Sequence, residues 1–179
     1  LILNLLDETF SKDRSIVTRH LQVCRHDNNN DCHSFTQLHH VKWPDFKTPT
    51  PGTLTRLLKT IAQQESQMRM PSALLPPIVV HCSAGVGRAG TFVCVQKLLE
   101  HALASLCSKT AHQSDQNTLM LQFDRLVLDI RRQRRNAVVT QTQFEFCART
   151  AADVLRANIN DWLQSDQSQP LCEKLSLLI

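Results

Sequence analysis

Three of the chain's four glycines, Gly85, Gly87 and Gly90, fall within six residues of one another. They lie in the stretch Ile78-Val79-Val80-His81-Cys82-Ser83-Ala84-Gly85-Val86-Gly87-Arg88-Ala89-Gly90-Thr91, which limits the fold more than any other feature. Ile78-Val79-Val80 is short, apolar and β-branched, and predicts a buried strand of the parallel-sheet type. From Ala89 to about Cys107, Phe92, Val95, Leu98, Leu99 and Leu103 recur with helical spacing. Between strand and helix the glycines let the backbone curl, so that successive N–H groups converge on an anion. The start of the helix adds its positive end. A thiol at the base of such a cradle, Cys82, is pushed toward thiolate. Arg88 contributes a planar fork that matches two phosphate oxygens. Cys82, the nest Ser83-Ala84-Gly85-Val86-Gly87 and Arg88 therefore form a nucleophile aimed at a phosphate ester.

Two other phosphate loops share part of this pattern. Gly85-x-Gly87-x-x-Gly90 has the spacing of a dinucleotide fingerprint, which also requires a second strand ending in an acid about 20 residues on. Glu100 and its neighbours lie inside an amphipathic helical pattern instead, so that reading fails. A Walker loop needs Lys before Thr91, and Gly90 stands there.

Composition sets the frame. With 179 residues the chain can bury one sizeable core, and 42% apolar with 20% charged residues is ordinary for a globular domain. A net charge of +4 is too mild and dispersed for nucleic-acid binding. No apolar run has the length of a membrane span, and Leu1–Leu6 is too short for a signal peptide. The chain opens on Leu1 rather than Met, so a piece of something longer is expected. Seven cysteines without framework spacing predict a reducing, cytoplasmic setting rather than a disulfide-stapled secreted fold. Cys24, His26, Cys32, His33, His39 and His40 contain no paired zinc spacing, and neither metal nor cofactor is expected.

Along the chain, residues 1–6, 15–24 and 33–42 read as strands, with turn chemistry at Asp27–Asp31. Pro44, Pro49, Pro51 and Gly52 mark a loop. Leu54, Leu57, Leu58 and Ile61 predict a helix to about Gln64, and residues 65–77 a connection. A polar linker over 108–117 precedes a helix with Leu119, Phe123, Leu126, Val127 and Ile130 inward. Thr140-x-x-Gln143 is a capping box that starts the last helix, whose apolar face is Phe144, Cys147, Ala151, Val154 and Leu155. Residues 164–179 read as a loosely held tail. Strands first and helices later, with one strand–loop–helix unit between, indicate an α/β or α+β domain.

His81-Cys82-Ser83-Ala84-Gly85-Val86-Gly87-Arg88 resembles the active-site loop of classical protein tyrosine phosphatases. The resemblance covers residues 1–163, the C-terminal part of that catalytic domain. It implies an α/β fold with a central twisted mixed sheet flanked by helices. It also implies Cys82 as nucleophile, Arg88 as phosphate ligand and His81 as the residue that holds the Cys loop. A phenolate leaving group needs a proton, and Trp43-Pro44-Asp45-Phe46 is similar to the family's mobile acid loop, which makes Asp45 the general acid. Arg131 and Arg134 match an arginine pair that precedes the family's water-positioning glutamine loop. In that register Gln143 matches its second glutamine, Val139 stands where the first would be, and Gln141 is a substitute for it. The implied partners are phosphotyrosine-containing proteins.

The departures fall on one chemical step. Ala89 stands where the family has a hydroxyl that steadies the departing thiolate, and Val139 where it has a glutamine that orients water. Both spare phosphorylation of Cys82 and weaken hydrolysis of the phosphoenzyme. Lys47 and Thr48 also depart from the family's acid loop. The family's N-terminal part, with its Tyr-bearing recognition loop, is not visible, and this chain has no Tyr. A complementing N-terminal segment is therefore expected. A phosphotyrosine phosphatase and a phosphotyrosine-binding pseudophosphatase both remain open at this point.

Overall fold

The computed structural model describes residues 1–26, 28–68, 77–107 and 116–163. The expected tail at 164–179, and most of the linkers expected at 65–77 and 108–117, lie outside the described residues. The chain forms two compact units, Leu1–Trp43 and Pro44–Ile179.

The first unit is an antiparallel sheet of β1 (Ile2–Phe10), β2 (Ile16–Arg25) and β3 (Asn28–His40), in the order β1-β2-β3. The β1–β2 turn is tied by Ser11, whose hydroxyl accepts the N–H groups of Ser15 (3.1 Å) and Ile16 (3.0 Å). The central strand carries the buried side chains Ile16, Val17, Leu21 and Cys24, while every residue of β1 is exposed. The expected turn at Asp27–Asp31 is shorter than its composition implies. Arg25 already pairs with Asn28, and Cys24 with Cys32, so the extra β3 residues between them form an irregularity rather than the turn. That register sets Cys24 opposite Cys32, with Cα atoms 4.1 Å apart, and the two are joined in a disulfide. No framework spacing marks this pair in the sequence: two cysteines remote in spacing terms become neighbours once the hairpin closes.

In the second unit α1 (Pro51–Met68) starts earlier and ends later than its spacing suggests. Pro51 occupies the first helical position, where its missing N–H costs nothing, and the Thr50 carbonyl accepts the N–H of Thr53 and Leu54. Leu54, Leu57, Leu58 and Ala62 form its buried stripe. Helices α2 (Arg88–Cys107), α3 (Gln116–Gln133) and α4 (Gln141–Leu163) follow, with α2 packed on both α3 and α4. The core holds Phe92, Val95 and Leu99 of α2, Phe123, Val127 and Ile130 of α3, and Phe146, Cys147, Ala151 and Val154 of α4. The rings of Phe123 and Phe144 meet at 4.5 Å.

Ile78-Val79-Val80 is not a strand, which corrects the sequence expectation. A strand exists only by pairing, and among the described residues none runs beside it; Ile78 is 46% and Val79 83% exposed. The class remains α/β, but the described sheet is antiparallel rather than mixed. No described helix is long and apolar enough to cross a membrane.

Candidate active site

The loop before α2 folds around Cys82. Burial pushes the Cys82 thiol up, but the N–H groups of Ala89, Gly85 and Val86 and the Arg88 charge together outweigh it, and the sulfur is held below the ordinary thiol value. Gly85 permits this curl by taking φ +70°, a left-handed conformation. By contrast Cys147, fully buried in α4, has its thiol pushed up by a hydrogen bond with Cys94 and by burial. It is a packing residue.

Arg88, the first residue of α2, donates from Nη2 to Ser83 Oγ at 2.7 Å and pairs with Asp45 Oδ1 at 2.5 Å. The sequence-predicted acid and phosphate ligand are thus brought together from segments 43 residues apart. Asp45 lies in a turn closed by the Lys47 N–H on the Pro44 carbonyl at 3.3 Å. Phe46 takes φ +58° in that turn and is 69% exposed. Trp43 is buried edge-on against His40, while Pro44 and His81 are exposed.

Of the arginine pair, Arg134 braces the loop from outside and Arg131 holds the segment after α3. Arg134 donates from Nε to the Gly85 carbonyl (3.2 Å) and from Nη2 to the Ala84 carbonyl (3.1 Å). Arg131 donates to the carbonyls of Ala137 and Val138, both at 2.9 Å. Val138 in turn donates its N–H to the Val86 carbonyl at 3.0 Å. Val138 was not foreseen, and nothing in the sequence marks a β-branched residue for a φ of +59°. Thr91 was missed too: its hydroxyl and N–H both reach the Gly87 carbonyl, at 2.8 and 2.9 Å. A Thr one turn into a helix is a legible cue for that bond.

Gln143 is fully buried, and both the oxygen and the nitrogen of its amide are hydrogen-bonded. Oε1 accepts the N–H of Val139 (3.1 Å) and Thr140 (3.3 Å), and Nε2 donates to the Lys47 carbonyl at 3.3 Å. The Thr140 hydroxyl accepts the Gln143 N–H at 3.1 Å, which completes the capping box. Gln143 also lies against the phosphate loop, since a Cβ on Gly87 would be 3.3 Å from its Nε2. Val139 is 44% exposed beside the same glycine, and the exposed Gln141 binds Glu145 at 2.8 Å. Among the described residues no group of His, Cys, Asp and Glu could hold a metal.

The family model described as protein-tyrosine phosphatase matches residues 3–153. The chain is 35% identical over 124 residues to human tyrosine-protein phosphatase non-receptor type 20, covering 69% of this chain and 25% of that protein. It is 34% identical over 123 residues to tyrosine phosphatase H3 of Microplitis demolitor bracovirus, covering 68% and 33%. Against tyrosine-protein phosphatase 3 of Dictyostelium discoideum it is 28% identical over 138 residues, covering 77% and 13%. The match thus spans a third or less of the length of each of these relatives. A match over residues 3–153 makes this chain a member of the protein-tyrosine phosphatase family.

Proposed function

We propose that the chain carries the catalytic machinery of a phosphotyrosine phosphatase that is phosphorylated readily on Cys82 and hydrolysed slowly. The observation that carries this reading is the convergence of three amides and Arg88 on the Cys82 sulfur, with Asp45 held on the same arginine. In the first step Cys82 Sγ attacks phosphorus and the bond to the tyrosyl oxygen breaks. Asp45 protonates the departing phenolate, while Arg88 and the loop amides hold the equatorial oxygens. In the second step water attacks the phosphocysteine, Asp45 takes its proton, and thiolate and inorganic phosphate leave.

The second step is where this chain is poorly equipped. Ala89 offers its N–H but no hydroxyl, Val139 presents methyl groups, and the Gln143 amide oxygen is already bonded within the fold. One missing hydrogen bond to the leaving thiolate costs about 0.5–1.5 kcal/mol, roughly two- to tenfold in rate. Rapid-quench kinetics with an aryl phosphate should show a burst of phenol followed by a slow linear phase. A linear course from the start, at high turnover, would overturn the slow-hydrolysis reading. No phenol release beside retention of a phosphotyrosine peptide would instead favour the binding-module reading, for which Ala89 and Val139 speak.

We place residues 1–163 in one partial catalytic domain, completed at Ile78–Val80 by a further segment that pairs with it. A cytoplasmic, reducing setting belongs to the same proposal, because Cys82 works only as a free thiol, and in that setting the Cys24–Cys32 pair would be held reduced. Its substrates would be phosphotyrosine-containing proteins.

A further inference from the structure

We propose that Arg134 is the positioning residue that aims two of the three amides facing the Cys82 sulfur. In a planar trans peptide the C=O and the following N–H point in opposite directions. Fixing one fixes the other. The Gly85 N–H shares its peptide with the Ala84 carbonyl, and the Val86 N–H shares its peptide with the Gly85 carbonyl. Those are the two carbonyls that Arg134 holds, at 3.1 and 3.2 Å. A single guanidinium, from beyond the end of α3, thus turns both carbonyls outward and both N–H groups toward Cys82. The rigid fork of Arg suits two adjacent acceptors, which a point ammonium does not. Gly85 is part of the device: a Cβ there would lie 2.8 Å from Arg134 Nη2, so only glycine lets the guanidinium come this close. The third donor, the Ala89 N–H, belongs to α2 and is aimed by the helix itself. Arg131 reaches only the Ala137 and Val138 carbonyls, which share no peptide with a donor to Cys82.

The inference rests on Cys82 being the reactive thiolate, but its test reads the sulfur directly, whether or not any ester is hydrolysed. The charged groups around Cys82 are Arg88, Asp45 acting through Arg88, and Arg134 with Arg131 behind the loop; the neighbouring His81 is titratable. The measurement is the pH dependence of Cys82 alkylation by iodoacetate in the full chain, with the other thiols followed by peptide mapping. Arg134→Ala is expected to slow alkylation at neutral pH about tenfold and to leave the high-pH rate unchanged, because only the ionised fraction falls. Arg134→Lys keeps the charge and loses the fork, so it should recover less than half of the shift. Arg131→Ala, which removes an equally well bonded arginine, should leave the alkylation profile in place. Three results would overturn the proposal. They are an unshifted Arg134→Ala profile, full recovery by Arg134→Lys (charge alone suffices), or an equal shift in Arg131→Ala (general loosening suffices).

Discussion

At Gly90 a methyl group has nowhere to go. A Cβ would stand 2.7 Å from the Val138 nitrogen and 3.2 Å from Ala137 Cα, and both are backbone. Val138 cannot retreat, because its N–H and carbonyl are tied to Val86 and Arg131. Gly90→Ala should therefore destabilise the fold by about 1–3 kcal/mol, as overpacking does. Chemical denaturation would check it, and a loss below about 0.5 kcal/mol would mean that the Val138 strap yields. The His40 ring meets Trp43 edge-on, with centroids 5.7 Å apart. Burial lowers its pKa, opposed by its own backbone and Asp13 and helped by His39. The unfolded chain then binds the proton more readily, so stability is lost as pH falls through the ordinary histidine value of about 6.5. His40→Phe keeps a ring against Trp43 and removes that proton; stability should fall less steeply between about pH 7 and pH 5 than in the parent. An unchanged slope would count against it. Residue placement was legible where chemistry requires a residue type: Arg88 pairs with Asp45 and its charge acts on Cys82. Val138 was illegible because its importance lies in a backbone angle its side chain disfavours.

Elements were legible where a local signal agrees with tertiary packing. The capping box at Thr140 and Gln143 is one such case, with both reciprocal bonds present. Thr140→Ala should cost about 0.5–2 kcal/mol by thermal or chemical denaturation. Gln143→Ala should cost more than Thr140→Ala, because it also frees the Val139 N–H and cuts the tie to Lys47. Equal losses would reduce Gln143 to a cap. The helical spacing of α1 hid its true start, since Pro51 and Gly52 read as breakers. Proline is a breaker only inside a helix, and at the first position it is a start signal. Ile78–Val80 shows the opposite failure. Its composition is that of a strand, but strand formation depends on a neighbour, which no single segment specifies.

At the scale of the whole molecule the uneven distribution of burial matters most. Strand β1 is the edge of its sheet, and Leu3, Leu5 and Leu6 are 63%, 57% and 57% exposed. An apolar edge strand with a free row of N–H and C=O groups is a template for pairing with another chain. The sequence announced a short strand over residues 1–6 but not that it would lie uncovered, because coverage is decided by distant parts of the fold. Leu3 and Leu5 lie on one face of β1, and neither contributes to the buried core. Replacing both by Lys should therefore leave denaturation midpoints within about 0.5 kcal/mol of the parent, as exposed positions do. It should also lower concentration-dependent light scattering, because charge on an edge strand opposes edge-to-edge pairing. A clear loss of stability would show that another part of the protein covers this face. Unchanged scattering, with stability intact, would move the source of association to Ile78 and Val79, a further exposed apolar pair just before the Cys82 loop.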